Sequence, residues 1–364
     1  MVSAAPAVQH HQTTGTLLRI FRGVILLPLF AMLSGCNFVV MHPAGDIAVQ
    51  ERDLIIASTA LLLLIIFPVM VLICVFAWRY RASNTDAKYE PEWHHSTGLE
   101  VAIWSAPLAI IVALGALTWI STHVLDPYRP IARISPTKPL TAATKPLEVD
   151  AVAMDWKWLF IYPSLGIATV NELAAPIDTP IDFKLTSSTM MNAFYIPALA
   201  GQIYAMPGMQ TPMHAVVNKI GVFNGFSSNY SGDGYSDMNF KFHGVSQGDF
   251  DKWVQSVKAR GGALSRQDYQ KLATPSQANP VAYYNSVEPG LFNAVVNECV
   301  DPSKMCVSDT MRIDARGGAR VESNEALVQH DGPHGDMGAM KMPKSVDTGP
   351  QPGRSTQQTA PAPR

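Results

Sequence analysis

Charge is scarce in this chain. Asp, Glu, Lys and Arg make up 15% of its 364 residues while apolar residues reach 48%; an ordinary soluble protein carries roughly 25% charged residues. That deficit points to lipid as part of the solvent. Nor is there an excess of basic charge: 27 basic residues face 29 acidic ones, which argues against nucleic acid as a partner. Four cysteines in the whole chain exclude a small disulfide scaffold. None lies between residues 124 and 245, which excludes a mononuclear blue-copper site there, since that site needs a thiolate. No period of about 20 to 50 residues recurs, so repeat architectures drop out.

What the chain does hold is three apolar runs in its first third. Gly23 to Ser34 spans 12 residues, too short to cross a hydrocarbon core of about 30 Å. Arg19 and Arg22 precede it and Leu33-Ser34-Gly35-Cys36 closes it, the layout of a secretory signal. Small residues leading into a cysteine look like a bacterial lipoprotein processing site, which implies cleavage before Cys36 and acylation of its thiol. An ordinary signal with a chance cysteine is the alternative. Residues 1–35 are set apart from the fold as a signal peptide.

Leu54 to Trp78 runs 25 residues without a charge, and Val101 to Thr122 another 22, each long enough to cross as a helix. Pro68 falls inside the first, where a membrane helix tolerates it with a kink. Trp78, Trp104 and Trp119 lie near the run ends, as interfacial aromatics do. Two transmembrane helices, 54–78 and 101–122, are predicted, with a periplasmic N-terminal segment (36–53) before them and a loop (79–100) between. Basic residues do not orient the pair, because Arg79, Arg81 and Lys88 in the loop are matched by Arg129, Arg133 and Lys138 beyond the second run. Export of Cys36 does. It makes the loop cytoplasmic and the portion after His123 periplasmic, on a bacterial inner membrane.

Pro130, Pro136, Pro139 and Pro146 mark residues 123–146 as a linker. Strand-like alternation follows. Leu147, Val149, Ala151 and Ala153 alternate with Glu148, Asp150 and Val152; Ile181, Phe183 and Leu185 with Asp182 and Lys184; Met238, Phe240 and Phe242 with Asn239, Lys241 and His243. Residues 147–245 therefore read as a β-sandwich. From Ser246 the period turns helical. Phe250, Trp253, Val254 and Val257 follow a capping-box candidate, Ser246 to Asp249; Ser265 to Asp268 repeats that signal, and Phe292, Val295, Val296 and Cys299 form another stripe. A helical extension is expected over 246–315 and a disordered tail over 316–364. Cys299 and Cys306 fall in the exported part, where an oxidising compartment permits a disulfide; Cys299 as a plain apolar helix residue is the other reading. Cys74, inside the first span, reads as packing. The fold class is membrane-anchored α + β: a two-helix transmembrane hairpin, then a periplasmic β-sandwich with a C-terminal helical extension.

Five stretches stand on this architecture: Tyr89 to His95 before the second span, Met154-Asp155-Trp156-Lys157-Trp158, Asn192 to Pro197, Gln202 to Gln210, and Gly225 to Met238. In that order they resemble subunit II of the haem-copper respiratory oxidases, over residues 36 to about 310. The resemblance implies a cupredoxin-like sandwich. In the cytochrome c oxidases of that family the sandwich binds two coppers through two histidines, two cysteines, a methionine and a glutamate backbone carbonyl. Here Asn192 stands at the first histidine. The loop that would read Cys-x-Glu-x-Cys-x-x-x-His-x-x-Met reads Ser227, Asn229, Ser231, Tyr235 and Met238. Only the methionine remains, and serine does not replace a thiolate.

That loss resembles the quinol-oxidising branch, the bo-type ubiquinol oxidases. It implies a structural subunit of a proton-pumping terminal oxidase of the aerobic respiratory chain, taking electrons from ubiquinol to oxygen. Subunits I, III and IV, ubiquinol through the complex, and membrane lipid are the implied partners, without cytochrome c. Haems and copper are expected in subunit I, and no cofactor or metal on this chain. A copper-bearing cytochrome c oxidase subunit II is the main rival, opposed by the missing ligands. A membrane-anchored copper carrier is the other, resting on His330, His334, Met337, Met340 and Met342 in the tail.

Glu100 and Trp156 carry further expectations. Glu100 matches a glutamate that the family places near the mouth of a proton-conducting channel, while Thr97-Gly98-Leu99-Glu100 is equally a capping box at a helix start. Trp156 aligns with the tryptophan through which copper-bearing relatives pass electrons onward. Without copper, Trp156 and Trp158 are expected as aromatic packing at the interface with subunit I.

Overall fold

The computed structural model describes residues 38–315 apart from 89, 142 and 143. The predicted signal peptide, the predicted lipidation at Cys36 and the predicted disordered tail with its His/Met tract lie outside the described residues.

Two long helices come first, α1 (Asp46–Arg79) and α2 (Thr97–Val124). Their most apolar stretches bury 0% and 6% of their residues within the chain, so their side chains need lipid or another subunit as solvent. Cys74 is exposed on α1, so it is not part of a core among the described residues. Pro68 and Pro107 are both inside helices. Both helices outrun their charge-free runs. The first turns of α1 carry Asp46, Glu51, Arg52 and Asp53, and the reason they are helical is tertiary. The amides of Ala44 and Gly45 donate to the Ala198 carbonyl at 2.7 and 3.0 Å, Gly45 bridges Val217, and Lys219 Nζ donates to the Pro43 carbonyl at 2.8 Å. A Cβ on Gly45 would meet the Val216 and Leu199 carbonyl oxygens at 2.5 and 2.6 Å, so the close approach requires glycine. Asp46, 3% exposed, accepts from Arg133 Nε and Gln50 Nε2, each at 2.8 Å.

The linker contains a short hairpin, β1 (Arg133–Ser135) and β2 (Lys138–Pro139). The sandwich then runs through β3 (Leu147–Met154), β4 (Lys157–Tyr162), β5 (Ile167–Val170), β6 (Glu172–Pro176), β7 (Pro180–Ser187), β8 (Asn192–Tyr195), β9 (Ile203–Ala205), β10 (Thr211–Val216), β11 (Gly221–Ser227) and β12 (Asn239–Val245). The extension adds α3 (Gln247–Arg260), β13 (Gly262–Leu264), α4 (Arg266–Ala273), β14 (Ala282–Val287), α5 (Leu291–Val296) and α6 (Val307–Ala315). One sheet has seven strands in the order β10-β7-β3-β4-β5-β14-β13, and the facing sheet five in the order β6-β12-β11-β8-β9.

Between the sheets lies an aromatic core. Trp158 is fully buried, with its ring centroid 5.2 Å from Phe194 and 5.8 Å from Phe240. That corrects the expectation for Trp158, which is sandwich core and not an interface residue. The Tyr162 hydroxyl ties the two sheets, donating to the Ala174 carbonyl at 2.8 Å and accepting from the Ala174 amide at 2.9 Å.

The extension is not purely helical, because β14 pairs with β5 and β13 with β14. It covers the second face of the seven-stranded sheet. Val152, Met154, Leu159 and Ile161 pack there against Leu264, Tyr269, Leu291, Phe292 and Val295. From Val149 onward, β3 is therefore buried on both faces, although its alternation suggested one wet face. Ser246 and Ser265 cap α3 and α4 as expected, accepting from the amides of Asp249 and Asp268, each at 3.2 Å. Cys299 and Cys306 form a disulfide beyond α5.

Asp150 is left in this doubly buried strand, 6% exposed, with one carboxylate oxygen lacking a hydrogen-bond partner among the described residues. Burial pushes its pKa from 3.8 up to about 6, against the pull of Lys184 and with a push from Glu148. A folded pKa above the unfolded one makes stability fall as pH rises between about 4 and 6, with a constant deficit above. Asp150→Asn is expected to stabilise the full chain by on the order of 1–3 kcal/mol at pH 7. The gain should vanish below pH 4; thermal unfolding of the detergent-solubilised chain across that range reads both.

Candidate functional site

Three segments meet at one end of the sandwich: the start of β8, the turn between β3 and β4, and the loop from β11 to β12. Strand pairing brings the first and third together, since Ser227 lies opposite Phe194 in the β11–β8 ladder. Asn192, Ser227, Ser231 and Met238 are all at most 5% exposed. Ser227 Oγ lies 3.1 Å from Asn192 Oδ1, to which it donates, and 3.3 Å from the Asn229 carbonyl; it accepts from the Ala193 amide at 3.4 Å. Asn192 Nδ2 donates to the Met190 carbonyl at 3.2 Å, and Asn229 Nδ2 to the Met191 carbonyl at the same distance. Ser231 Oγ points at Met238 Sδ, 4.0 Å away, and the Tyr235 ring lies 5.6 Å from that of Tyr230.

Asn192, Ser227 and Asn229 meet through hydrogen bonds, as do Ser231 and Met238, whereas the Tyr235 ring packs on Tyr230. Two bonds without a signal in the sequence join the cluster to its surroundings: Ser228 donates to Gln202, and Thr189 to Asp155. Those partners are 26 and 34 residues apart, beyond any local signal.

Trp156 closes the cluster from the β3–β4 turn. Its Nε1 donates to the Ser231 carbonyl at 2.9 Å. Its backbone is left-handed, with φ of 65°, a conformation that costs a bulky residue about 1–2 kcal/mol. The indole lies flat on the loop because Gly234 offers no side chain; a Cβ there would meet Trp156 Cγ at 2.5 Å. A strained backbone with both the ring and the N–H engaged marks a position held by its surroundings.

The cluster's side-chain donors are hydroxyl, carboxamide and phenol oxygens with one thioether, and neither thiolate nor imidazole is among them. The Ser227 hydroxyl and the Asn192 carboxamide already satisfy each other.

Glu100 stands apart, in the first turn of α2. It does not close a capping box. The N-cap is Ser96, without a side-chain cap bond, and Glu100 Oε1 instead lies 2.7 Å from His95 Nδ1, whose Nε2 is 3.2 Å from Thr97 Oγ1. An adjacent imidazole competed for the carboxylate and won.

Two family models match: "Cytochrome C oxidase subunit II, periplasmic domain" over residues 164–245, and "COX Aromatic Rich Motif" over residues 258–303. The chain is 48% identical to "Cytochrome bo(3) ubiquinol oxidase subunit 2" of Pseudomonas putida over 275 residues, which is 75% of this chain and 85% of the relative. It is 48% identical to "Ubiquinol oxidase subunit 2" of Acetobacter aceti over 293 residues, 80% and 93% of the two. The chain belongs to the ubiquinol oxidase subunit 2 family. Among solved structures, the periplasmic domain of subunit II of cytochrome oxidase of Bradyrhizobium japonicum is 25% identical, covers 31% of this chain and 94% of its own, and has a TM-score of 0.30.

In this ubiquinol oxidase subunit the first model runs from just before β5 to the end of β12. The aromatic-rich match holds Tyr269, Tyr284 and Phe292, which cover the second face of the central sheet.

Trp156→Phe keeps the strained backbone and removes the bond to Ser231. The expected loss is about 0.5–1.5 kcal/mol of stability, read as a lower denaturant midpoint of the full chain.

Proposed function

We propose that this chain is the structural subunit II of a proton-pumping terminal ubiquinol oxidase and that its sandwich carries no copper electron-entry site. The observation that supports this reading is the donor chemistry at Asn192, Ser227, Asn229, Ser231, Tyr235 and Met238, where carboxamide, hydroxyl and phenol groups stand in for thiolates and imidazoles, with Ser227 bonded to Asn192 and Ser231 to Met238. Ubiquinol is dissolved in the membrane and delivers electrons to the haems and copper of subunit I, so no relay from cytochrome c is needed. Trp156 then serves as packing for the loop. The helix hairpin packs on subunit I and lipid in the bacterial inner membrane, with the sandwich periplasmic, an acylated Cys36 as an extra anchor, and subunits III and IV in the same complex.

Copper analysis tests the central claim. The full chain, purified without its partner subunits, should hold no stoichiometric copper and show no thiolate-to-copper absorption. The fourfold variant Asn192→His, Ser227→Cys, Ser231→Cys and Tyr235→His should gain both, because Met238 is already in place. A folded, colourless variant would place the ligand alignment in error. Stoichiometric copper in the unmodified chain would overturn the reading itself.

We further assign Glu100 to proton uptake from the cytoplasmic side, through its position in the first turn of α2, just before the charge-free run, and its contact with His95. Glu100→Gln keeps a hydrogen-bonding group and removes the titratable one. Turnover of the assembled oxidase should fall by about 10-fold or more, the low end of what a positioned acid–base group contributes being larger still, while Glu100→Asp retains more. Unchanged oxygen reduction and pumping with glutamine would sink the assignment.

A further inference from the structure

At the end of the hairpin away from the sandwich, the chain forms a groove that no role above uses. It has a volume of about 860 Å³ and is lined by Phe76, Arg79, Tyr80, Arg81, Lys88 and Trp93, with Glu90 as its one carboxylate. We infer that this groove binds the headgroup of an anionic phospholipid of the phosphatidylglycerol class. The inference rests on the hairpin being membrane-spanning.

The first support is unanswered charge. Near the opposite ends of the helices, cations hold carboxylates: Arg52 meets Asp53 at 2.6 Å and Arg133 meets Asp46 at 2.8 Å. Arg79, Arg81 and Lys88 have no acidic partner within 4.0 Å among the described residues. The second support is order. The Arg81 guanidinium lies 5.1 Å from the Trp78 ring centroid, and its Nη1 donates to the Trp78 carbonyl at 2.7 Å. Asn84 Nδ2 donates to the Arg79 carbonyl at 2.6 Å, folding the loop back over the end of α1. The third is depth. Trp78, Tyr80 and Trp93 are exposed where the charge-free run stops, the level at which aromatic side chains meet headgroups.

A phosphodiester is the anion that membrane supplies at that level, and basic pockets beside membrane helices are suited to it. Phosphate would answer the cations, and the glycerol and upper acyl chain would cover Phe76 and Trp93. A soluble anion would leave those apolar walls wet.

The test uses the purified oxidase complex, with haem content and ubiquinol oxidation checked in the same sample, so that failure of the groove is distinguishable from failure of the functional reading. A photoactivatable phosphatidylglycerol should label residues 76–93, and unlabelled phosphatidylglycerol should compete where phosphatidylcholine and inorganic phosphate do not. Each cation contributes about fivefold to affinity. Arg81→Gln should therefore weaken competition about fivefold, and R79Q/R81Q/K88Q about a hundredfold. The single variant keeps the test open if the triple one fails to assemble. Equal labelling by a phosphatidylcholine analogue, or undiminished competition in Arg81→Gln, overturns the lipid site. Absence of lipid label together with cross-links from Lys88 to another subunit overturns it as well, and gives the cations to a protein neighbour.

Discussion

Strands β3 (from Val149), β4 and β5 of the seven-stranded sheet are buried on both faces, and the chain beyond α2 is organised by that constraint. One face is answered by the five-stranded sheet through Trp158, Phe194 and Phe240. The other presents Val152, Met154, Leu159 and Ile161, which only the extension covers. Each such side chain is stabilised by about 1.5–3 kcal/mol on burial. Four together reach on the order of 10 kcal/mol, comparable with the whole stability of a domain. The segment after Val245 is therefore part of the fold's minimum and not an appendage, and the disulfide closes the chain just beyond the helix that does most of the covering.

This constraint also explains where the sequence was legible. Long charge-free runs were legible as helices from length and composition, and the structure adds that their most apolar stretches are almost wholly unburied within the chain. Ser246 and Ser265 were readable because a cap is decided within four residues. Asp150 and Val152 misled: Glu148 does stay exposed, but from Asp150 onward a distant segment covers the face that the acids mark as wet. Ala282 to Val287 escaped notice as a strand because it is short and lies among helical stripes; its partner β5 is more than 100 residues away. The start of α1 was equally hidden: charges at Asp46 and Glu51 look like the end of a span, and only Ala198, Lys219 and Arg133 make that turn part of the sandwich.

At the loop end of the sandwich, individual residues were nameable through family resemblance and their bonding was not. Asn192 and Ser227 are 35 positions apart, and neither stands out in composition. What the fold adds is reciprocity. Ser227 is bonded to Asn192, and the Trp156 indole lies against Gly234 while its N–H donates to the Ser231 carbonyl.

The attachment between hairpin and sandwich has a mechanical meaning. Residues 43–46 belong at once to the foot of the sandwich and to the first turn of α1. The 34 residues of α1 make a rod of about 50 Å, longer than a hydrocarbon core of about 30 Å, and such rods respond to bilayer thickness by tilting. With its top turn clamped by Arg133 and Ala198, the rod is a lever arm. Any tilt of α1 therefore has to carry the Ala198, Val217 and Lys219 segments with it, because those residues hold the start of the helix directly.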